Sequence, residues 1–392
     1  MFKIQTLNAI DPEGLRIFPL GNYEIASELP NPDAILLRSY KMHQMELPSS
    51  IVAIARAGAG VNNIPIEQCT EKGIVVFNTP GANANGVKEL VIGGLILASR
   101  DIIDGVNWAK SLAGKGDEIP TLIEKGKNNF AGQEIKGKTL AVIGLGAIGV
   151  LVANAAKALG MNVIGYDPYI SVPQALKLSN EVNWVQGIEV LLSQADYVTL
   201  NIPLTPETEG YLNKEKLKMM KNNVRILNFA RGGLVNLNDL KEAIASGKVA
   251  KYITDFPDKE VLEMDKVITI PHLAASTKES ETNCAVMAVN QVKDFLENGN
   301  ITNSVNFPAA AMERHDGCRI TIANKNIPNM VSQISSILAS ESINIDSMLN
   351  RKHNGIAYNI IDVTQKTVGE TIIKKLQEIS DVCMVRIIPA AN

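Results

Sequence analysis

Three glycines and one carboxylate carry the most specific chemistry in the chain. Gly144, Gly146 and Gly149 form G-x-G-x-x-G in KTLAVIGLGAIG, directly after an apolar run and at the start of a helical one. Gly144 permits a tight turn. Gly146, with Ala147 and Ile148 at the helix start, lets backbone N–H groups approach a pyrophosphate, and Gly149 lets helix and strand pack closely. Asp167 ends a second apolar run, NVIGYD, 18 residues after Gly149. There a carboxylate accepts hydrogen bonds from a ribose diol and repels a 2′-phosphate, which favours NAD over NADP. A second candidate is His272, one of four histidines, which opens the loop after KVITIP. A strand-end imidazole is suited to take and return a proton, although a buried structural histidine is the competing reading. Upstream, TDFPDKE offers Asp255, Asp258, Lys259 and Glu260 as neighbours. A carboxylate beside the ring would raise its pKa, whereas an ammonium would lower it.

These residues need a scaffold, and the composition supplies one. A chain of 392 residues exceeds one ordinary core, so two or three domains are expected. With 46% hydrophobic and 20% charged residues, wholesale disorder is excluded. A net charge of −3 without a basic run argues against nucleic acid as a partner. The longest apolar run, LVIGGLILA (90–98), is too short to cross a bilayer, and the N-terminal residues lack a signal-peptide core. Four scattered cysteines form no CxxC pair, which suggests reduced thiols in a cytoplasmic protein and no metal site.

Residues 1–80 alternate short apolar runs (FKIQTL, AILLRS, IVAIARAG, IVVFNTP) with helix-like stretches, the pattern of βα units on a parallel sheet. Residues 85–111 read as one long helix, followed by a polar connector. A second α/β series runs from 138 to about 273, with strands at KTLAVIG, NVIGYD, YVTLNIP, VRILNFA, KYITDF and KVITIP. Residues 277–298 read as a helix capped by Thr277, and a linker with Pro308 follows. The last 75 or so residues give the order βαββαβ, with a hairpin turning at HNG.

The segments RAGAGVNNIP, NTPGANANGVKEL, GLGAIG, NIPLTPETEGYLN, LNFARGGLVN and IPHLAAST, in this order, resemble the D-isomer-specific 2-hydroxyacid dehydrogenases. The C-terminal unit resembles an ACT regulatory domain. The resemblance implies an α/β protein with a Rossmann-type NAD domain (97–276) inserted in a flavodoxin-like substrate domain (1–96 and 277–304). A linker (305–316) and a βαββαβ ACT-like domain (317–392) complete it. The active site would lie in the cleft between the first two domains. The resemblance further implies oxidation of a 2-hydroxy acid, with 3-phospho-D-glycerate favoured by the ACT-like tail. Arg231 would hold the carboxylate and His272 would be the acid/base. Pro203, Ala230, Asp255 and Ala274 would join the cofactor contacts. Arg56, Ala57 and Gly58 would line the substrate, and Arg38 and Lys41 are further candidates for its anionic groups, unless they form a solvated pair.

Counting five residues from Asp255, as the family does, gives Glu260 as the partner of His272. Aligning on Phe256-Pro257 gives Lys259 instead, and we take Glu260. The chain carries Asn201 where much of the family has a histidine, Asn236 where an acid is common, and Asn329 where a glycine often follows the proline. A homo-oligomer is implied, with a serine effector near Asn324, Asn326 and Asn344; a dimerisation module that binds nothing is the alternative. Two other functions stay open: a reductase of hydroxypyruvate, glyoxylate or 2-oxoglutarate, and a non-catalytic NAD-sensing protein.

Overall fold

The computed structural model describes residues 1–390. The chain divides into two compact units, Ala84–Ser280 and the pair Met1–Asn83 with Glu281–Asn392.

Ala84–Ser280 is built on a seven-stranded parallel sheet. Its order is Val267–Thr269, Val249–Thr254, Val224–Asn228, Tyr197–Leu200, Thr139–Ile143, Asn162–Tyr166, Asn183–Trp184. Helices cover both faces, so the central strands read as near-continuous apolar runs. Leu140, Val142, Leu227 and Ile253 pack with Val91 and Leu95 of the helix Ala84–Ser99 on one face. Ala141, Ile143, Val198 and Ile226 pack with Leu191, Leu217 and Leu240 on the other. Thr139–Ile143 lies between Asn162–Tyr166 and Tyr197–Leu200, where the strand order reverses. In such sheets the crevice at the carboxyl ends beside this reversal is where ligands bind.

The single helix expected over 85–111 is two, Ala84–Ser99 and Ile102–Ser111. The break falls at Asp101, whose backbone leaves the helical region (φ −81°, ψ 53°) and whose carboxylate pairs with Lys251. Apolar spacing continues through the break, so periodicity alone hides it. The polar connector also holds a short helix, Ile119–Gly126.

In the other unit a five-stranded parallel sheet has the order Tyr23–Ala26, Phe2–Leu7, Ala34–Leu37, Ala53–Arg56, Val75–Phe77. This is the flavodoxin-like order. The edge strand Tyr23–Ala26 was not among the strands expected. The helix Lys278–Asn298 starts with Ser280 N donating to Thr277 Oγ1 (3.1 Å). Its residues from Glu281 onward belong to this unit, and they lay Ala285, Val289, Val292 and Phe295 against the sheet.

A separate antiparallel sheet has the order Ile345–His353, Ile356–Val363, Arg319–Lys325, Val382–Ile388, with helices Met330–Ser340 and Glu370–Gln377. Its hairpin turns at Asn354 (φ 44°) and Gly355 (φ 82°), the positive-φ pair that a two-residue turn demands. Arg319, fully buried, donates to both carboxylate oxygens of Asp362 at 2.7 and 2.8 Å. It also donates to the carbonyls of Asn298, Met312 and Glu313. One guanidinium thus ties this sheet to the helix end and the linker. Among the described residues no helix is long and apolar enough to cross a membrane.

Candidate functional site

The glycine turn sits at the sheet's reversal point. Gly144 has φ +90°, and a Cβ there would stand 2.6 Å from Asn201 O. A Cβ at Gly149 would stand 1.9 Å from Gly144 O, so helix and turn touch backbone to backbone. Gly146 differs, because a Cβ there would meet nothing within 4 Å. It is the N-cap of the helix Ala147–Ala158, whose first N–H groups, those of Ala147 and Ile148 among them, point out of the helix start. Space beside exposed donors suits a pyrophosphate. Asp167 Oδ2 accepts from Leu145 N (2.8 Å) and Oδ1 from Tyr169 N (2.8 Å). That fixes the carboxylate over the turn, with lone pairs left for a diol. Asn201 is half-buried beside the turn and Pro203 is exposed, its carbonyl accepting from Thr208 Oγ1.

A second group gathers at the carboxyl ends of three adjacent strands of the same sheet. Asn228 ends one strand, Asp255 follows the next, and His272 comes just after Val267–Thr269. Gly232, Gly233, Asn236, Asp255, Glu260 and His272 are among the residues lining a pocket of about 690 Å³.

His272 is exposed and holds φ +36°, an uncommon conformation for a side-chain-bearing residue. Its N–H donates to Asp255 O (3.0 Å) and Ile270 O (2.9 Å), which pins the strained backbone. The imidazole lies against Phe256, with ring centroids 5.0 Å apart. Asp255 is fully buried. Burial raises its pKa, while the Ala274 N–H and the charges of His272 and Arg231 act in the opposite sense. Its Oδ2 accepts from the buried Ala274 (3.0 Å), and its Oδ1 has no donor among the described residues. Glu260 shares the pocket with His272, but no hydrogen bond joins them among the described residues. Asp258 caps the helix Lys259–Leu262, accepting from Val261 N at 2.8 Å.

Arg231 is exposed on a turn that Asn228 builds. Asn228 Oδ1 accepts from Ala230 N (3.2 Å) and Arg231 N (3.3 Å). Its Nδ2 donates to Arg231 O (2.8 Å) and to the Tyr252 hydroxyl (3.2 Å). Arg231 Nη1 donates to Ala230 O at 2.6 Å. Sequence reasoning passed over Asn228. The only signal was an amide at the end of an apolar run, where one side chain can satisfy several backbone groups of a turn.

In the other unit, Arg38 pairs with Glu281 at 2.8 Å. Arg56 donates through Nε to Arg38 O (2.8 Å) and through Nη1 to Gly60 O. Gly58 N donates to Arg56 O (2.9 Å), and Ala57 N reaches back to Leu37 O (2.8 Å), so Arg56–Gly58 is a tightly braced turn. Lys41 is exposed.

Of the three asparagines in the antiparallel module, Asn324 is buried and engaged with Asn359 (2.8 Å) and Lys325 O (2.6 Å). Asn326 and Asn344 are exposed. Asn329 takes φ +71°, the left-handed conformation a glycine would adopt, so the turn survives the exchange. Asn236 caps the helix Leu237–Ala245 through Asp239 N at 3.1 Å, a role open to asparagine and aspartate alike.

The sheet order and the glycine turn at its reversal define a Rossmann-type dinucleotide-binding unit. Residues 94–274 match the family "D-isomer specific 2-hydroxyacid dehydrogenase, NAD binding domain", and this segment is an NAD-binding domain of that kind. The chain is similar to D-3-phosphoglycerate dehydrogenase of Methanocaldococcus jannaschii, 35% identical over 333 residues, covering 80% of this chain and 61% of that one. It is also similar to D-3-phosphoglycerate dehydrogenase 2 of Saccharomyces cerevisiae, 27% identical over 96% of this chain and 84% of that one. Among solved structures it resembles NAD⁺-bound 3-phosphoglycerate dehydrogenase of Entamoeba histolytica, with TM-score 0.60 and 27% identity, over 78% of this chain and 98% of that one. The chain spans between about half and three fifths of the length of several curated relatives it matches (61%, 54% and 56%).

Proposed function

We propose that the protein is a D-3-phosphoglycerate dehydrogenase, which oxidises 3-phospho-D-glycerate to 3-phosphooxypyruvate at the start of serine synthesis. The observation that carries this reading is the grouping of Asp255, His272 and the Asn228-braced Arg231 at three adjacent strand ends. The names of the similar proteins support the substrate.

The open space at Gly146 and the fixed carboxylate of Asp167 fit NAD, which Gly144, Gly146, Ala147, Ile148 and Gly149 would hold at the pyrophosphate and Asp167 at the ribose. Pro203, Ala230, Asp255 and Ala274 are assigned to the rest of the cofactor. Bound NAD supplies the hydride acceptor. Arg231 grips the substrate carboxylate through parallel hydrogen bonds. The His272 imidazole takes the hydroxyl proton as the carbonyl forms and returns it in reduction. We assign Glu260 to the imidazolium, because both line one pocket. Asp255 lies within electrostatic reach of both His272 and Arg231. Arg56, Ala57 and Gly58 are assigned to substrate, with Arg38 at its phosphate.

We further assign residues 1–96 and 277–304 to a substrate domain, 97–276 to the NAD domain, 305–316 to a linker and 317–392 to an ACT-like module. The βαββαβ order of the last supports that assignment. A cytoplasmic homo-oligomer follows from the same reading, and free, mostly buried thiols agree with that compartment. Serine would bind the ACT-like module at Asn326 and Asn344. Asn324, already engaged by Asn359, would orient that loop.

The test is NADH oxidation with 3-phosphooxypyruvate, hydroxypyruvate, glyoxylate and 2-oxoglutarate. A clear preference for the phosphorylated acid is expected. Preference for an unphosphorylated acid would sink the substrate assignment, and NADH binding without any turnover would make the protein a sensor.

A further inference from the structure

A different pocket of about 690 Å³ opens where the antiparallel sheet meets the parallel sheet of the same unit. Asp33 and Val52 wall it from the parallel sheet, Leu296 from the end of the helix Lys278–Asn298, and Arg386 and Pro389 from the last strand and its continuation. Arg314 reaches it from the linker.

Two guanidiniums therefore face one cavity, and both are held by neutral groups. Arg386 donates through Nη1 to Phe295 O (3.1 Å) and Nη2 to Leu296 O (3.0 Å), and it stacks over the Phe295 ring at 4.4 Å. Those carbonyls close the helix's last turn, so part of Arg386 is explained as a cap. Arg314 donates through Nη2 to Pro389 O. Its Nη1 is fully covered and has no acceptor among the described residues. A buried donor without a partner is costly, so such groups are rare unless something completes them.

The neighbouring acids do not complete this one. Asp33 Oδ2 accepts from Lys3 N at 2.7 Å, and Glu297 Oε1 from the Tyr23 hydroxyl at 2.7 Å. Among the described residues neither arginine forms an ion pair with them. Burial disfavours the charge on both, and Arg319 adds repulsion at Arg314. Asp33 eases the charge of Arg386 and Asp362 that of Arg314 without bonding either, and arginine stays protonated throughout.

We propose that this pocket binds a small oxyanion, a phosphate ester or carboxylate, between Arg314 and Arg386. Its apolar part would rest on Val52, Leu296 and Pro389. Arg314 offers its unpaired Nη1 to the anion, and Arg386, lining the same cavity, adds charge. A ligand there touches the parallel sheet, the helix end and the antiparallel module together. The pocket is thus an effector site separate from both the dinucleotide turn and the proposed serine loop.

The test uses the full chain with saturating NADH, which occupies the dinucleotide phosphate site. Inorganic phosphate and, separately, propionate are titrated at constant ionic strength while the melting temperature is followed. A saturable rise is expected, since a ligand of the native state stabilises it. The arm with the lower midpoint identifies the preferred oxyanion. Arg314→Gln should raise that midpoint about tenfold or more, the worth of one charge-assisted hydrogen bond. Val52→Phe, which leaves both arginines and fills the cavity, should do the same and keeps the test valid should Arg314→Gln fail to fold. No saturable rise in the wild type, or equal midpoints in wild type and variants, overturns the proposal.

Discussion

Asn228 offers the sharpest prediction, because its side chain holds Arg231 without being positioned to react. Asn228→Ala removes two acceptor contacts, from Ala230 N and Arg231 N, and two donor contacts, to Arg231 O and the Tyr252 hydroxyl. The backbone groups belong to a turn that carries the exposed Arg231, so water replaces much of what they lose. The Tyr252 hydroxyl is buried, and its loss should cost roughly 1–3 kcal/mol of stability, which leaves the protein folded. Activity should suffer more. A displacement of about 1 Å in a group that orients substrate costs about 100-fold, so kcat/KM for 3-phosphooxypyruvate should fall by about that factor. NADH affinity should fall by much less, because Asn228 braces Ala230 on the cofactor side but the glycine turn lies on another loop. The decisive assay is a double-mutant cycle with Arg231→Ala. If Asn228 acts through Arg231, the double variant is no slower than Arg231→Ala alone. Additive losses, or an Asn228→Ala enzyme with wild-type kcat/KM, would refute the positioning role.

Gly146→Ala and Gly149→Ala should separate binding from folding. The first adds a methyl into open space and should weaken NADH binding at an unchanged melting temperature, whereas the second drives a Cβ to 1.9 Å from Gly144 O and should lower both. Arg319→Met leaves Asp362 buried and unpaired and should cost about 3–5 kcal/mol by denaturant unfolding, much of it recovered when Asp362→Leu is added. Burial opposes ionisation of Asp196, but the Thr139 N–H and the Lys221 and Lys138 charges outweigh it, so its pKa falls below the ordinary value. The stability this confers is complete above that ordinary value and is lost as pH falls through the lowered one, so Asp196→Asn should flatten the acid limb of melting temperature against pH.

The glycine turn, the strand-end histidine and the βαββαβ tail were legible because each is written in contiguous residues. What escaped depends on the chain folding back. The helix breaks at Asp101, whose carboxylate meets Lys251 150 residues away, a contact that no periodicity reports. Tyr23–Ala26 is a four-residue edge strand paired with Phe2–Leu7, too short to stand out between turns. Asn228 looks like the end of an apolar run until the turn closes on it. The partner of His272 is the clearest case. Counting along the loop selects Glu260 over Lys259, yet only the folded chain shows Asp255 buried with its carbonyl holding the His272 N–H, and Asp258 spent as a helix cap.

The most direct measurement is NADH formation from 3-phospho-D-glycerate and NAD by the wild type and by His272→Asn, with NADH affinity determined for both. The account predicts turnover by the wild type, a loss of about 10²–10⁴-fold in the variant, and equal NADH affinity. A wild-type protein that binds NADH but forms none from this substrate, or a His272→Asn variant that turns over at the wild-type rate, would contradict it.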